Sequence, residues 1–210
     1  MIGPPLFIAT FLVEEATRPG YSWWRNFVSS LATGEGGWVQ IANFLVWGSL
    51  AIAFAIGVLR VGLGAPGILL LLYGAGLLVA GLFVTDPSLG YPPGAPLEHT
   101  THGMIHGLAG LTVFTLNAVV AFVVARHFAR DPRRHGWAIY SALTGALIVM
   151  LFIASTAVSV QDELGLWPNA PTGLLQRISI VVGWTWIAAF AFRLWRDTVT
   201  DTLAARPTRE

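Results

Sequence analysis

Residues 83–110 read FVTDPSLGYPPGAPLEHTTHGMIHGLAG. One apolar segment ends in this stretch and another begins, and the Pro/Gly-rich turn between them leads into Asp86, Glu98, His99, His102 and His106. Proline at 87 enforces the exit from the first segment, because it has no amide proton with which to continue a helix. On a helix beginning near Thr100, His102 and His106 are four residues apart and share a face, with His99 one turn earlier on the same stripe. Two imidazoles beside a carboxylate suit a metal ion or a proton. The stretch therefore reads as the turn of a helical hairpin and as the candidate site, with the rest of the chain as its scaffold.

Composition decides the solvent around that hairpin. Of 210 residues, 55% are apolar and 11% charged, against the roughly one-quarter charged typical of a soluble domain. This is an all-α integral membrane protein by composition, and spans of about 20 residues with short loops leave room for about six helices and no soluble domain. The loops must carry whatever chemistry exists. With no cysteine, thiolate catalysis, Cys-ligated zinc and disulfides are excluded, so a metal would have to use His and carboxylate. All 12 basic residues are Arg, which reads as a compositional bias rather than a chemical choice.

Met1 to Val13 is apolar but would rise only about 20 Å as a helix, so the first span is expected to run through Glu14 and Glu15 to Pro19-Gly20. Lacking a basic start and a cleavage site, it reads as a retained span rather than a signal peptide, and its abrupt start suggests a trimmed N-terminus. Tyr21 to Thr33 puts Trp23, Trp24, Phe27, Val28 and Leu31 on one helical face, which predicts a short interfacial helix after the first span. Trp38 to Leu59, Gly67 to Val84, His102 to Ala125, Trp137 to Val160 and Thr172 to Trp195 are the remaining five of six transmembrane helices. The domain is thus 1–195, with a polar cytoplasmic tail over 196–210. Gly103, Gly107 and Gly110, with Gly74, Gly76 and Gly81, are expected as packing contacts between the third and fourth spans.

Arg60, Arg126, Arg130, Arg133, Arg134, Arg193, Arg196, Arg206 and Arg209 all fall on one side of these spans. By the positive-inside rule that side is cytoplasmic, and it holds both termini of a multi-pass protein of the cell membrane. The opposite, extracytoplasmic side collects the polar cluster.

The runs RPGYSWWRNFVSSLATGEGGWVQIANF (18–44), TDPSLGYPPG (85–94) with THGMIH (101–106), and GLLQR (173–177) resemble the DUF998 family of bacterial and archaeal membrane proteins. The resemblance covers nearly the whole chain. It implies a six-span fold related to the Frag1/DRAM/Sfk1 class, some members of which are connected to lipid handling, and a prokaryotic plasma-membrane location; it assigns no activity. Its motif positions include Arg18, Ser29, Asp86, Tyr91, His102, His106, Gln176 and Arg177. A fainter likeness is to the seven-span metal-dependent lipid hydrolases related to alkaline ceramidases, which use a Ser, an Asp and a His-x-x-x-His pair around zinc. Here Ser29 or Ser30, Asp86, and His102 with His106 stand in the same order, but the His pair falls in the fourth helix rather than the last.

Two readings follow. In the first, His102 and His106 with Asp86 or Glu98 hold zinc, whose bound water attacks a lipid or lipid-linked ester or amide, with Glu14, Glu15 or Asp162 as general base and Ser29 in the catalytic set. Arg18, Tyr91, His99 and Arg177 would then bind the substrate's head group. In the second, the histidines are hydrogen-bonded or titrating, Arg177 pairs with Asp86, Glu15 or Asp162, and the cluster is an ion-pair lock in a non-catalytic lipid-binding or assembly protein. A proton-coupled transporter ranks behind both, because the charges gather at one face and spans two, three and five offer almost none at mid-bilayer. Membrane lipids are the expected partners, nucleic acid is not among them, and a homo-oligomer is left open.

Overall fold

The computed structural model describes residues 2–204, with side chains through residue 199. Its six helices are α1 Gly3–Thr17, α2 Trp38–Arg60, α3 Gly64–Leu82, α4 Thr101–Phe128, α5 His135–Glu163 and α6 Thr172–Ala204. Among the described residues there is no strand, and α2 to α6 provide five helices long and apolar enough to cross a membrane. At 1.5 Å per residue α1 rises about 22 Å, short of the ~30 Å of a hydrocarbon core. Its Gly3 packs on the Trp47 ring, in the middle of α2 rather than at its far end. Of the six helices expected as spans, five are thus long and apolar enough to cross a membrane, and α1 is shorter.

Local chemistry sets the helix boundaries. Gly62, at φ +82°, closes α2: its amide donates to Leu59 O and the Leu63 amide to Val58 O, the paired bonds of a glycine-terminated helix end. Thr100 starts α4, its hydroxyl accepting from the Gly103 amide at 3.0 Å, as a helix N-cap does. At the other extreme, α6 runs on to Ala204 through the segment expected as a polar tail; residues 205–210 lie outside the described residues.

Each helix packs on its neighbours in the chain, and α6 returns to α1, closing a ring. Lipid is as apolar as leucine, so close packing rather than exclusion of water holds such helices together. A Cβ added to Gly48 or Gly74 would lie 2.9 Å from the other's carbonyl oxygen, so α2 and α3 approach as only glycine allows. Gly81 also faces α2, and Gly76 meets Val113 of α4. The expected glycine contacts from α4 are mostly not there: Gly107 and Gly110 have nothing within 4 Å, and only Gly103 abuts another segment. Aromatic rings fill the centre, with Phe7 of α1 edge-on to Phe44 at 5.4 Å and Trp184 at 4.3 Å.

The chief departure is Tyr21 to Thr33. The expected amphipathic helix is replaced by turns through residue 27 and a short 3-10 helix, Val28–Ala32, in which Val28, Ser30, Leu31 and Ala32 are buried. It contacts α1, α2 and α6 and closes one end of the ring as a plug. Trp23 and Trp24 stay exposed and Phe27 is half-buried, but Val28 and Leu31 of the imagined stripe turn inward. The physical reason is that the carbonyls of residues 26, 31, 33 and 35 accept from the side chains of Arg177 and Arg18, and that of Phe27 from the Tyr21 hydroxyl as well as the Ser30 amide.

Candidate functional site

Three arginines fasten the plug. Arg177, near the start of α6, donates from Nε to Glu15 Oε2 at 2.7 Å and from Nη1 to Asn26 O at 3.0 Å and Gly173 O at 2.9 Å. Its Nη2 donates to the Tyr21 hydroxyl, which in turn donates to Phe27 O at 2.9 Å. Burial pushes the Tyr21 phenol well above its ordinary pKa, against the opposing pull of Arg177, so it relays as a neutral hydroxyl. Glu15 is thus the carboxylate that Arg177 requires, one of the three the sequence offered.

Arg18, at the end of α1, pairs with Glu14 at 2.7 Å and donates to Leu31 O at 3.1 Å, Thr33 O at 3.5 Å and Glu35 O. Gly36, at φ +80°, lies against that guanidinium. The third clamp was not foreseen. Arg25 grips Asp162 with both branches, Nε to Oδ2 at 2.7 Å and Nη2 to Oδ1 at 2.8 Å. Asp162 also accepts from the amides of Asn169 and Ala170, each at 3.2 Å. Planar two-point contact of this kind is the strongest form of side-chain ion pair. Asp162, a candidate base in the sequence, is instead fully committed as an acceptor. Asn26 completes the set, its amide donating to Leu89 O at 2.9 Å. A signal for Arg25 was present but weak: a cation beside two tryptophans at a membrane boundary needs an anion, yet sequence distance hides which one.

Asp86, His102 and His106 do not converge. Asp86 accepts from the Thr100 amide at 2.8 Å and hydroxyl at 2.5 Å, tying the end of α3 to the start of α4. Burial opposes its charge, but the Thr100 donors, with His99 and His102 nearby, hold its pKa below the ordinary value. A Cβ on Gly103 would sit 2.0 Å from Asp86 Oδ2, so glycine is what lets the carboxylate reach. His102 lies against the Phe83 ring at 5.1 Å. His106, only 8% exposed, meets Ala80 O at 2.9 Å and Phe83 O at 2.8 Å through Nδ1. Two acceptors require a proton on Nδ1, which fixes the ring in the bundle and leaves Nε2 as its one unassigned nitrogen. Among the described residues, no group of three His, Asp or Glu is placed to hold a metal ion. The donor set therefore does not fit the three-ligand zinc site.

The remaining candidates are dispersed. Ser29 and Gln176 line a cavity with His106 and the rings of Phe7, Phe44, Phe114 and Trp184. Its volume, about 50 Å³, admits a few waters and not a lipid head group, since ligand sites run to roughly 300–1,000 Å³. Gln176 is anchored, its Oε1 accepting from the Val28 amide at 2.7 Å. Ser30, the alternative serine, is buried with no protein partner for its hydroxyl. His99 lines an open groove with Asp86, Glu98 and Glu163 beyond the plug. Tyr91 is buried edge-on to Tyr21 at 5.1 Å. Of the four residues expected to bind substrate, Arg18, Tyr91 and Arg177 are thus built into the plug, and only His99 faces open space.

The family model described as "Protein of unknown function (DUF998)" matches residues 1–193. No curated protein and no solved structure matches the chain.

Proposed function

Because the chain belongs to the DUF998 family, whose function is unknown, we propose from its geometry that it is a non-catalytic lipid-binding or membrane-assembly protein whose polar cluster is a structural ion-pair lock. One observation carries this reading. Arg18, Arg25 and Arg177 each hold a carboxylate and together satisfy the main chain or side chains of the irregular segment that plugs the ring. A catalytic arginine keeps donors free for its substrate, whereas these spend theirs on the protein. The metal-dependent hydrolase reading has no comparable support, since its ligands serve three separate structural tasks.

The side rich in Arg60, Arg126, Arg130, Arg133 and Arg134 faces the cytoplasm of a plasma membrane in this proposal, by the excess of short-loop arginine. The plug then faces outward.

His106→Gln tests lock against hydrolase. Glutamine can restore one hydrogen bond to the α3 carbonyls but is a poor zinc ligand. For the lock, detergent-purified wild-type and variant proteins carry the same substoichiometric metal, and the variant unfolds several degrees lower. Stoichiometric zinc in the wild type, lost in a variant of unchanged thermal stability, would sink the lock.

A further inference from the structure

At the end of the bundle opposite the plug, a groove of about 280 Å³ runs between the α2–α3 turn and the last turns of α4. Gly62, Leu63, Ala65 and Pro66 form one wall, and Val123, Arg126, His127 and Arg130 the other. Among the described residues, no carboxylate lines it. Asp131, next to Arg130 in sequence, and Asp197 of α6 are already engaged, Asp131 with Arg134 at 3.3 Å and Asp197 with Arg193 at 3.0 Å. Arg126 in the last turn of α4 and Arg130 just past its end both line the one opening, and among the described residues no carboxylate is paired with either guanidinium.

Below the groove the surface changes character. Ala65 lies on the same α3 stripe as Ile68 and Leu72, and Arg126 on the same α4 stripe as Phe122 and Val119, by spacings of three and four. All four of these large apolar side chains are exposed. Each track thus starts at the basic groove and descends one to three helical turns toward the middle of a membrane-spanning helix. Paired cations at the boundary with two apolar tracks beneath them match a phosphate head group and its two acyl chains, and match neither a protein segment nor a free anion as well.

We propose that this groove is a binding site for an anionic phospholipid, with the phosphodiester between Arg126 and Arg130 and the chains along Ile68–Leu72 and Val119–Phe122. Arginine is suited to the task because its planar fork can bond two phosphate oxygens at once. The site deepens the lipid-binding reading but lies at the other end of the bundle from the lock. Failure of either leaves the other standing: the lock is read from metal content and unfolding, the groove from bound lipid.

The test is native mass spectrometry of the full chain released from detergent containing equimolar phosphatidylglycerol and phosphatidylcholine, with inorganic phosphate as competitor. A basic residue at an anionic membrane surface is worth about 1 kcal/mol, or roughly fivefold in affinity. Phosphatidylglycerol is therefore expected to be retained preferentially, and Arg126→Gln with Arg130→Gln to weaken it by about 25-fold. Arg133→Gln, outside the groove, should change it less than threefold. Because the substituted side chains are exposed, the variants are expected to keep the wild-type gel-filtration profile. Equal retention of both lipids, an unaffected double variant, or full displacement by millimolar phosphate would each overturn the proposal, the last by showing a site for free phosphate.

Discussion

Arg177→Ala removes the most connected side chain of the plug. The change leaves Glu15 without its partner, takes one donor each from the carbonyls of Asn26 and Gly173, and leaves the Tyr21 hydroxyl without the donor it accepts from. It also strips the guanidinium from the Phe11 and Tyr21 rings, which it covers at 5.9 and 5.5 Å. Breaking one side of a buried ion pair costs about 3–5 kcal/mol, and each orphaned buried acceptor roughly 1–3 more if nothing replaces the donor. These do not add, because the groups share one site and water can enter the space of the lost side chain. We therefore expect a loss of about 3–5 kcal/mol, seen as a fall of roughly 6–20 °C in the thermal unfolding midpoint in detergent. The cycle with Glu15→Gln isolates the pair: the second change should return part of the loss, since it removes the stranded charge. Arg177→Lys should rescue only partly, because one ammonium cannot reach acceptors spread around a planar fork. An Arg177→Ala midpoint within 2 °C of wild type, or a double variant whose losses are strictly additive, would refute the lock.

Three further outcomes are expected. Gly103→Ala drives a methyl into Asp86 Oδ2 and should cost about 1–2 kcal/mol by breaking the α3–α4 tie. Combined with Asp86→Ala it should cost little more than either alone, because both remove the same bonds. Asp86 is held below its unfolded pKa, so its stabilising contribution is complete above the unfolded value of 3.8 and lost as pH falls through the lower folded value; acid unfolding curves of wild type and Asp86→Ala should converge there. For orientation, the chain contains no cysteine, so Leu97→Cys in the α3–α4 turn and Gly136→Cys at the start of α5 can be compared directly. An impermeant thiol reagent on intact cells should label position 97 only, and the opposite pattern would reverse the assignment of faces.

The fold was legible wherever apolar length and helix-breaking residues act locally. Pro19-Gly20, Pro87 and Thr100 mark ends that the structure keeps within a few residues. The Tyr21–Thr33 segment was not legible in the same way, because its pattern of five apolar residues fits an interfacial helix as well as a buried plug. What decides between them is the supply of donors from Arg18, Tyr21 and Arg177, and the last lies more than 140 residues away from the carbonyl it binds at Asn26. The pairing of Arg177 was predictable in kind, since an unpaired charge at a membrane boundary is costly. Its choice of Glu15 over Asp86 or Asp162 was not. Spacing alone likewise put His102 and His106 on one helix, but could not show that the Nδ1 of His106 is taken up by the carbonyls ending α3.

Irregular backbone at membrane depth survives only when its polar groups are satisfied within the protein. The plug meets that condition unevenly, and the unevenness predicts how it opens. On the α5 side, Asp162 accepts from two arginine nitrogens and two amides, four donors in all. On the α1–α2 side, three buried polar atoms lack any protein partner: Glu14 Oε2, Ser30 Oγ and Gln40 Nε2. Each such atom carries a desolvation cost of roughly 1–3 kcal/mol that separation from the bundle would relieve. Arg18 makes four bonds on that side too, so the difference lies in these unpartnered atoms, and they leave the plug less firmly held where it meets α1 and the start of α2. Opening should begin there, with Arg25–Asp162 as the hinge that stays closed. Hydrogen exchange reads this order directly: amides around residues 30–37 should exchange faster than those of 22–26 and 169–170. The reverse order would show that the ion pair with the most donors is not the one that holds longest.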